Sequence, residues 1–71
     1  MVDLESLRCF VSAAQNLNFG RAARAVRLSA SAFSERISRL EEELGVSLFE
    51  RSTRQVQLSV AGRVLLTLQA T

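Results

Sequence analysis

Near the start of the chain, apolar side chains recur at steps of three and four residues, which is the spacing of one face of an α-helix. The positions on this stripe are Leu4, Leu7, Phe10, Val11 and Ala14. Asp3 stands where an N-cap belongs, so the helix is predicted to begin directly after it. Asn16 and Asn18 indicate its end, because asparagine tolerates the left-handed backbone conformation.

A second, shorter helix is predicted to begin at Gly20. Its inward positions are Ala22, Ala23 and Val26. Ser29 then occupies an N-cap position, and residues 30–44 form a third helix that Gly45 ends as its C′ residue. The buried stripe of this helix consists of Phe33, Ile37, Leu40 and Leu44. The short gap between the second and third helices predicts a helix–turn–helix.

Beyond the third helix, the pattern changes to short stretches that are typical of strands. Leu48 and Phe49 precede a polar turn, after which apolar and polar positions alternate over residues 56–58. This pattern predicts a small β-hairpin over residues 49–58, which we call the wing. Ser59 can cap a last helix, whose apolar positions spread over more than one face. They are Val60, Val64, Leu65, Leu66 and Leu68.

These elements predict a mainly helical fold with a three-helix core, a wing and a C-terminal helix. A length of 71 residues allows one domain, which we place at residues 1–58, and residues 59–71 then begin a linker helix. The last helix carries no glycine or proline stop signal. We therefore expect the chain to be a fragment of a longer protein.

The composition excludes much chemistry. The chain has no histidine and no lysine, so most acid–base and Schiff-base mechanisms and the P-loop are excluded. Cys9 is the single cysteine, it lies off the apolar stripe of the first helix, and we predict an inert free thiol. We expect no enzyme activity, and no cofactor or metal in these residues. A lone thiol, with no long apolar run and no signal-peptide pattern, indicates the cytoplasm.

The net charge of +2 hides a segregation of sign along the chain. Residues 20–40 carry +4 and residues 51–71 carry +3, whereas residues 41–50 carry −4. A helix–turn–helix reads DNA with the N-terminal part of its second helix. Positive charge around that part, with acid at the far end, favours DNA as the partner. The alternative is that these charges merely solvate exposed faces.

The outward N-terminal half of the third helix is small and rich in hydroxyls. Opposite the buried stripe lie Ser31, Glu35, Ser38 and Glu42, with Ser34 and Arg39 on the flanks. Small side chains let a helix lie deep in the major groove, and hydroxyls bond phosphates or base edges. For Ser29 and Ser31 the alternative role is helix capping. Glu35 either accepts from cytosine N4 or forms an i,i+4 pair with Arg39.

Arg51 and Arg54 make the wing a second basic element. Such arginines can lie in a narrow minor groove or on phosphates, and the alternative is a solvated hairpin turn. The complete set of predicted DNA-binding residues is Arg21, Ser29, Ala30, Ser31, Ser34, Glu35, Ser38, Arg39, Arg51 and Arg54.

The apolar spread of the last helix has two explanations. It is either a frayed terminus or a surface that covers both this core and a neighbouring chain. The predicted dimerisation residues are Val64, Leu65, Leu66 and Leu68. We expect a homodimer, because DNA binders of this kind commonly pair on two half-sites.

An ordered set of short motifs resembles the N-terminal winged helix–turn–helix of LysR-type transcriptional regulators. The motifs are Phe19-Gly-Arg-Ala-Ala23, Leu28-Ser29, Ser34, Arg39-Leu-Glu-Glu-Glu-Leu-Gly45, Leu48-Phe-Glu-Arg51, Arg54 and Leu58-Ser-Val-Ala-Gly62. Together they cover nearly the whole chain, and their order is more specific than any one of them.

The resemblance implies a sequence-specific DNA-binding domain of a bacterial regulator. It implies that residues 30–44 enter the major groove and that residues 49–58 lie on the backbone or in the minor groove. It also implies a homodimer through the last helix and an inverted-repeat operator of double-stranded DNA. The small-molecule effector would bind a C-terminal domain that these residues do not contain.

Two sites depart from the family pattern. The family often has Gln-Pro after the capping serine, where this chain has Ala30 and Ser31, and it often has arginine where Glu35 stands. These are base-reading positions, so no base preference is transferred from the family. The competing hypothesis is a winged-helix module for protein–protein interaction, because a fold alone does not establish DNA binding.

Overall fold

The computed structural model describes the backbone of residues 3–51 and 55–70, and the side chains of this range as far as residue 68. Within these residues the chain forms four helices and one two-stranded sheet. The elements in chain order are α1 (Leu4–Asn16), α2 (Phe19–Ala25), α3 (Ala30–Leu44), β1 (Phe49–Arg51), β2 (Val56–Leu58) and α4 (Val60–Ala70). This order confirms the predicted winged helix–turn–helix architecture.

The boundary between α1 and α2 depends on two capping side chains and one left-handed residue. The Asp3 carboxylate accepts from the Ser6 N–H at 2.8 Å, which confirms the predicted start of α1. At its other end, the left-handed residue is Leu17, at a φ of 51°, rather than either neighbouring asparagine. Asn18 instead caps α2, because its Oδ1 accepts from the Arg21 N–H at 2.9 Å. The second helix therefore begins one residue before the predicted Gly20.

The helix–turn–helix consists of α2, a four-residue turn and α3. Arg27 in this turn has a φ of 61°, and the Leu28 N–H donates to the Ala23 carbonyl at 2.9 Å. Ser29 caps α3 by accepting from the Ala32 N–H at 3.2 Å. Gly45 ends α3 in the left-handed conformation that glycine adopts without strain, at a φ of 72°. Both predicted ends of the third helix are confirmed.

The core lies where α1, α2 and α3 meet the base of the wing. Its largest fully buried side chains are Phe10, Phe33, Ile37, Leu40, Leu48 and Cys9. Phe19 contacts the rings of Phe33 and Phe49 edge-on, both at 5.5 Å between centroids. Phe49 in turn lies 5.6 Å from Phe10. The aromatic contacts therefore connect every core helix to the first strand.

The predicted buried face of α1 is correct at Phe10, which is completely buried, but wrong at its first position and at Cys9. Leu4 is 75% exposed, whereas Cys9, which was predicted to lie off the stripe, is completely buried. Small residues face α2, where the Ser12 hydroxyl donates to the Ala22 carbonyl at 3.0 Å. Close approach of the two helices therefore selects the small side chains. The remaining side of the predicted stripe, with Leu7 and Val11, lines an open groove.

A second correction concerns the end of α3. Leu44 was predicted to complete the buried stripe, but its side chain is 40% exposed. The helix ends directly after it, so no neighbouring element covers the last turn on this side. The other three predicted positions of the stripe, Phe33, Ile37 and Leu40, are buried.

The wing and α4 are connected through Ser59, the residue between β2 and the last helix. The strands pair antiparallel, with Phe49 opposite Leu58 and Arg51 opposite Val56. The Ser59 hydroxyl accepts from the Gly62 N–H at 3.0 Å, which confirms the predicted cap of the last helix. It also donates to the Ser47 carbonyl at 2.6 Å.

The last helix turns one apolar face to the core and leaves another uncovered. Leu65 and Leu66 are half-buried and pack against the core. Val60, Val64 and Leu68, which follow one another at steps of four, are 80%, 55% and 67% exposed. Neither α4 nor any other helix of residues 3–51 and 55–70 has both the length and the apolar character needed to cross a membrane.

Candidate nucleic-acid interface

The outward face of α3 has the composition that the sequence predicted. Ala30, Ser31 and Ser38 are exposed and Ser34 is half-buried, while the opposite face of the helix is in the core. Ser29 is exposed beside them and already accepts one backbone N–H as the cap. The N-terminal half of α3 therefore presents small side chains and hydroxyls on a rigid, well-packed helix. Such a surface can approach closely to a groove.

Glu35 and Arg39 form the predicted pair on this face. Arg39 Nη2 donates to Glu35 Oε1 at 3.3 Å, and both side chains are largely exposed. An exposed i,i+4 pair contributes only about 0.3–0.5 kcal/mol. It therefore opens at low cost, and either side chain is available to a partner.

Three arginines of the helix–turn–helix are exposed. Arg21 lies in the first turn of α2, Arg24 in its last turn and Arg27 in the following turn. No carboxylate interrupts residues 20–34, so this part of the chain carries only positive charge. These exposed charges would attract an anion.

Arg36, the other arginine of α3, is directed toward α1. Its Nη2 lies 3.8 Å from Glu5 Oε1. Hydrogen bonds from Ser6 lower the pKa of Asp3 below its ordinary value of 3.8, and the charges of Arg36 and Arg39 lower it further. The acidic start of α1 therefore neutralises part of the positive charge of α3 on the side away from its N-terminus.

Of the two arginines predicted for the wing, the structure describes Arg51. Arg54 lies outside the described residues. Arg51 is bound within the fold, with its Nη2 3.3 Å from Glu41 Oε1 and its Cζ 4.7 Å from the centre of the Phe19 ring. Its side chain is 41% exposed. It is the last residue of β1, and these contacts hold its guanidinium within the same chain.

Sequence reasoning missed Glu41. The residue was counted only as part of an acidic block, yet its Oε2 accepts from the Leu48 N–H at 2.8 Å and its side chain is 18% exposed. A signal existed, because carboxylates in the last turn of a helix oppose the helix dipole and need another source of stabilisation. Only the folded path of residues 45–48 shows which backbone donors supply it.

The predicted dimerisation residues separate into two groups. Val64 and Leu68 are exposed, whereas Leu65 and Leu66 are half-buried against the core of the same chain. Val60, which was not in the predicted set, shares the exposed face with Val64 and Leu68. The uncovered apolar surface is thus narrower than predicted and lies on one side of α4.

A short helix–turn–helix with a basic exposed face, followed by a two-stranded wing, defines the class of winged helix–turn–helix domains. The family comparison is more specific. The chain belongs to the LysR family of bacterial regulatory helix-turn-helix proteins, whose family pattern matches residues 4–63.

Relatives and solved structures agree with this assignment. The chain is 52% identical over 63 residues to the HTH-type transcriptional regulator y4mQ of Sinorhizobium fredii, a match that covers 89% of the chain and 21% of that protein. It is 47% identical over 64 residues to the transcriptional activator IlvY of Salmonella typhimurium, covering 90% of the chain and 22% of IlvY. The crystal structure of Vibrio fischeri DarR in complex with DNA superposes with a TM-score of 0.91 at 30% identity, covering 99% of the chain and 24% of DarR.

The chain spans about a fifth of the length of these curated relatives, 21% of y4mQ and 22% of IlvY. The two relatives are named as transcriptional regulators, not enzymes, which agrees with the prediction that this chain is not an enzyme. The match covers the region of residues 4–63, in which every predicted contact residue for DNA lies.

Proposed function

We propose that the chain is a sequence-specific DNA-binding domain of a transcriptional regulator, with the N-terminal half of α3 in the major groove of double-stranded DNA. The observation that carries this proposal is the outward face of α3, where Ala30 and Ser31 are exposed and Ser34 is half-buried, together with the exposed arginines of the preceding helix. The DarR structure supports it, because that protein has the same fold and was solved in complex with DNA. Phosphates would be attracted by the arginines, and the small residues would let the helix approach the bases.

The proposed contact set on the helix–turn–helix comprises Arg21, Ser29, Ala30, Ser31, Ser34, Glu35, Ser38 and Arg39. In the wing, Arg54 is proposed to lie on the backbone or in the minor groove. Arg51 was predicted to do the same, but its guanidinium is already held by Glu41 and Phe19, which favours a different role.

Ala30 and Ser31 offer no side chain that can bind a base edge with two hydrogen bonds. Specificity is therefore proposed to rest on hydroxyl contacts, on Glu35 and Arg39 after their exposed pair opens, and on the shape of the duplex. Glu35 would accept from cytosine N4, whereas next to a phosphate it would be repelled.

The exposed face of α4 is proposed to pair with that of a second copy. Val64 and Leu68 are the predicted interface residues that this face leaves uncovered, while Leu65 and Leu66 would support it from the core side. A two-fold dimer would bind an inverted repeat with half-sites spaced by helical turns. We further propose that the chain acts in the cytoplasm, where bacterial DNA is found, as the DNA-binding domain of a longer regulator.

The experiment is a titration of the 71-residue chain into a fluorescent duplex of mixed sequence at several salt concentrations. We expect binding at low salt and a steep, linear fall of the logarithm of affinity with the logarithm of salt, because phosphate contacts release counterions. With no histidine or lysine in the contact set, affinity should hardly change with pH near neutrality.

Absence of binding to any duplex at low salt would contradict the proposal and would favour the interaction module instead. Selection of bound sequences from a random duplex pool then tests specificity. Enrichment of an inverted repeat supports the dimeric arrangement, and a pool without a common motif contradicts sequence-specific reading.

A further inference from the structure

The junction between α3 and the wing is built around one carboxylate. Glu41 lies in the last turn of α3, and its Oε2 accepts from the N–H groups of Leu48 at 2.8 Å and Phe49 at 3.4 Å. These two residues enter β1, so a helix side chain supplies the acceptor at the start of the strand. A charged acceptor bonds more strongly than a neutral one, which fixes where the strand departs from the helix.

The second oxygen of the same carboxylate reaches the other end of the strand. Glu41 Oε1 lies 3.3 Å from Nη2 of Arg51, the last residue of β1. The Arg51 guanidinium also lies over the Phe19 ring at 4.7 Å. Phe19 begins α2, so the carboxylate and the guanidinium together connect α2, α3 and the whole length of β1.

Placement of this carboxylate is otherwise unfavourable. The end of α3 already carries the negative pole of the helix dipole and the neighbouring carboxylates of Glu42 and Glu43. Glu41 is also mostly withdrawn from water, with a side chain that is 18% exposed. Two backbone N–H donors and the Arg51 guanidinium compensate the Glu41 carboxylate for this unfavourable placement.

We propose that Glu41 is a positioning residue that sets the angle of the wing on α3, and that Arg51 completes this brace instead of binding a phosphate. The proposal rests on the proposed function, because the angle of the wing matters for affinity only when the wing meets DNA. The competing assignment is the one predicted from the sequence, in which Arg51 contacts DNA directly.

The direction in which Glu41→Gln changes the affinity for DNA distinguishes the two roles. Glu41→Gln removes a negative charge near DNA, which by electrostatics alone should raise affinity. The brace predicts the opposite, a loss of about fivefold in affinity for the mixed-sequence duplex, measured per folded molecule. Glu42→Gln is the matched control, because it removes the same charge from the exposed neighbouring position. Its affinity should equal or slightly exceed that of the original chain.

A double-mutant cycle and the salt dependence test the part played by Arg51. Arg51→Gln should lower affinity by about the same factor as Glu41→Gln, and the double variant should lose no more than either single variant. The slope of affinity against salt should stay unchanged in Arg51→Gln, whereas Arg54→Gln should reduce it by about 0.9 for one lost phosphate contact. Arg51→Lys keeps the charge but not the planar guanidinium, and the brace predicts that it does not restore affinity.

Amide hydrogen exchange tests the brace without DNA. In Glu41→Gln, the amides of Leu48 and Phe49 should exchange about tenfold faster, while amides in the middle of α1 keep their rates. Glu42→Gln should leave all of them unchanged. Circular dichroism on each variant establishes that the chain is folded at the assay temperature.

Three results would overturn the brace: unchanged exchange at Leu48 in Glu41→Gln, additive losses in the double variant, or a reduced salt slope in Arg51→Gln. The last of these would return Arg51 to the phosphates. If the original chain binds no duplex, the proposed function fails, and the exchange experiment alone then decides whether Glu41 holds the strand.

Discussion

Gly62 shows how one residue determines the packing of α4 on the wing. A Cβ at this position would lie 2.2 Å from the Leu48 carbonyl oxygen and 2.9 Å from a methyl group of Leu58. The same carbonyl oxygen accepts a hydrogen bond from the Ser59 N–H at 2.9 Å, so it cannot move away without breaking the contact between the wing and α4. Only glycine permits this approach, and the sequence marks the residue through the motif Leu58-Ser-Val-Ala-Gly62 but not through the spacing of apolar positions.

Gly62→Ala should therefore lower the free energy of unfolding by about 3 kcal/mol, because an overpacked backbone contact cannot relax. Gly20→Ala is the matched control. Its Cβ would meet only the Asn18 side chain, at 3.4 Å, and the change should stabilise the helix by up to about 1 kcal/mol. Urea unfolding measures both, and equal effects of the two substitutions would contradict the account of the junction.

Burial of the Cys9 thiol leads to a specific prediction for stability at alkaline pH. Burial raises the pKa of its thiol above the ordinary value of 9.0, because the thiolate is poorly solvated in the core. Above that pH the unfolded chain releases a proton that the folded chain retains, so stability is complete below about pH 9 and falls as pH rises.

The free energy of unfolding should fall with rising pH, and about 1.4 kcal/mol for each pH unit is the upper limit for one proton. Lysine and tyrosine are absent, so no such side chain masks the effect. Urea unfolding at a series of pH values should show it in the original chain and not in Cys9→Ala. The same slope in both proteins would contradict the assignment.

At the scale of elements, the features predicted best from the sequence are the helix ends, because local chemistry determines them. The caps at Asp3, Ser29 and Ser59 and the left-handed Gly45 depend on a few neighbouring residues, and all four are confirmed. The buried face of α1 could not be predicted, because both sides of the helix carry apolar residues. Close packing against α2 decides between them and favours small side chains over the larger Leu4.

The charge of Glu35 on α3 can be tested by substitution. Glu35→Arg should raise affinity for a mixed-sequence duplex about tenfold at low salt and steepen the salt slope by about 0.9, because one repelled group becomes one phosphate contact. Glu42→Arg makes the same charge change at the far end of the helix and should have a much smaller effect. Equal effects of the two variants would place the start of α3 away from the DNA.

The exposed face of α4 gives the prediction for assembly. Val64→Glu and Leu68→Glu should produce a folded monomer, because both side chains are exposed in the single chain. Leu66→Glu should instead lower the free energy of unfolding by about 2–3 kcal/mol, because Leu66 packs against the core. Sedimentation and circular dichroism separate these effects, and an unaltered dimer of Val64→Glu would contradict this interface.

At the scale of the whole molecule, the segregated charge has a three-dimensional meaning. The arginines of residues 21–27 belong to α2 and the turn that leads into α3, and the acids of residues 41–43 lie at the other end of α3. The same acidic end supplies Glu41 to the wing. The two basic blocks could be predicted from the sequence as a DNA-binding surface. The contact between Glu41 and Arg51 could not, because it depends on how β1 runs past the end of α3.

DNA binding through α3 is tested most directly by titrating labelled chain with duplex DNA and monitoring the backbone amide signals in NMR spectra at low salt. We predict that the signals of residues 29–39 and 55–57 shift, while those of the residues lining the groove beside Leu7 and Val11 stay in place. No shifts at low salt, or shifts confined to α1 and its groove, would contradict DNA binding through α3.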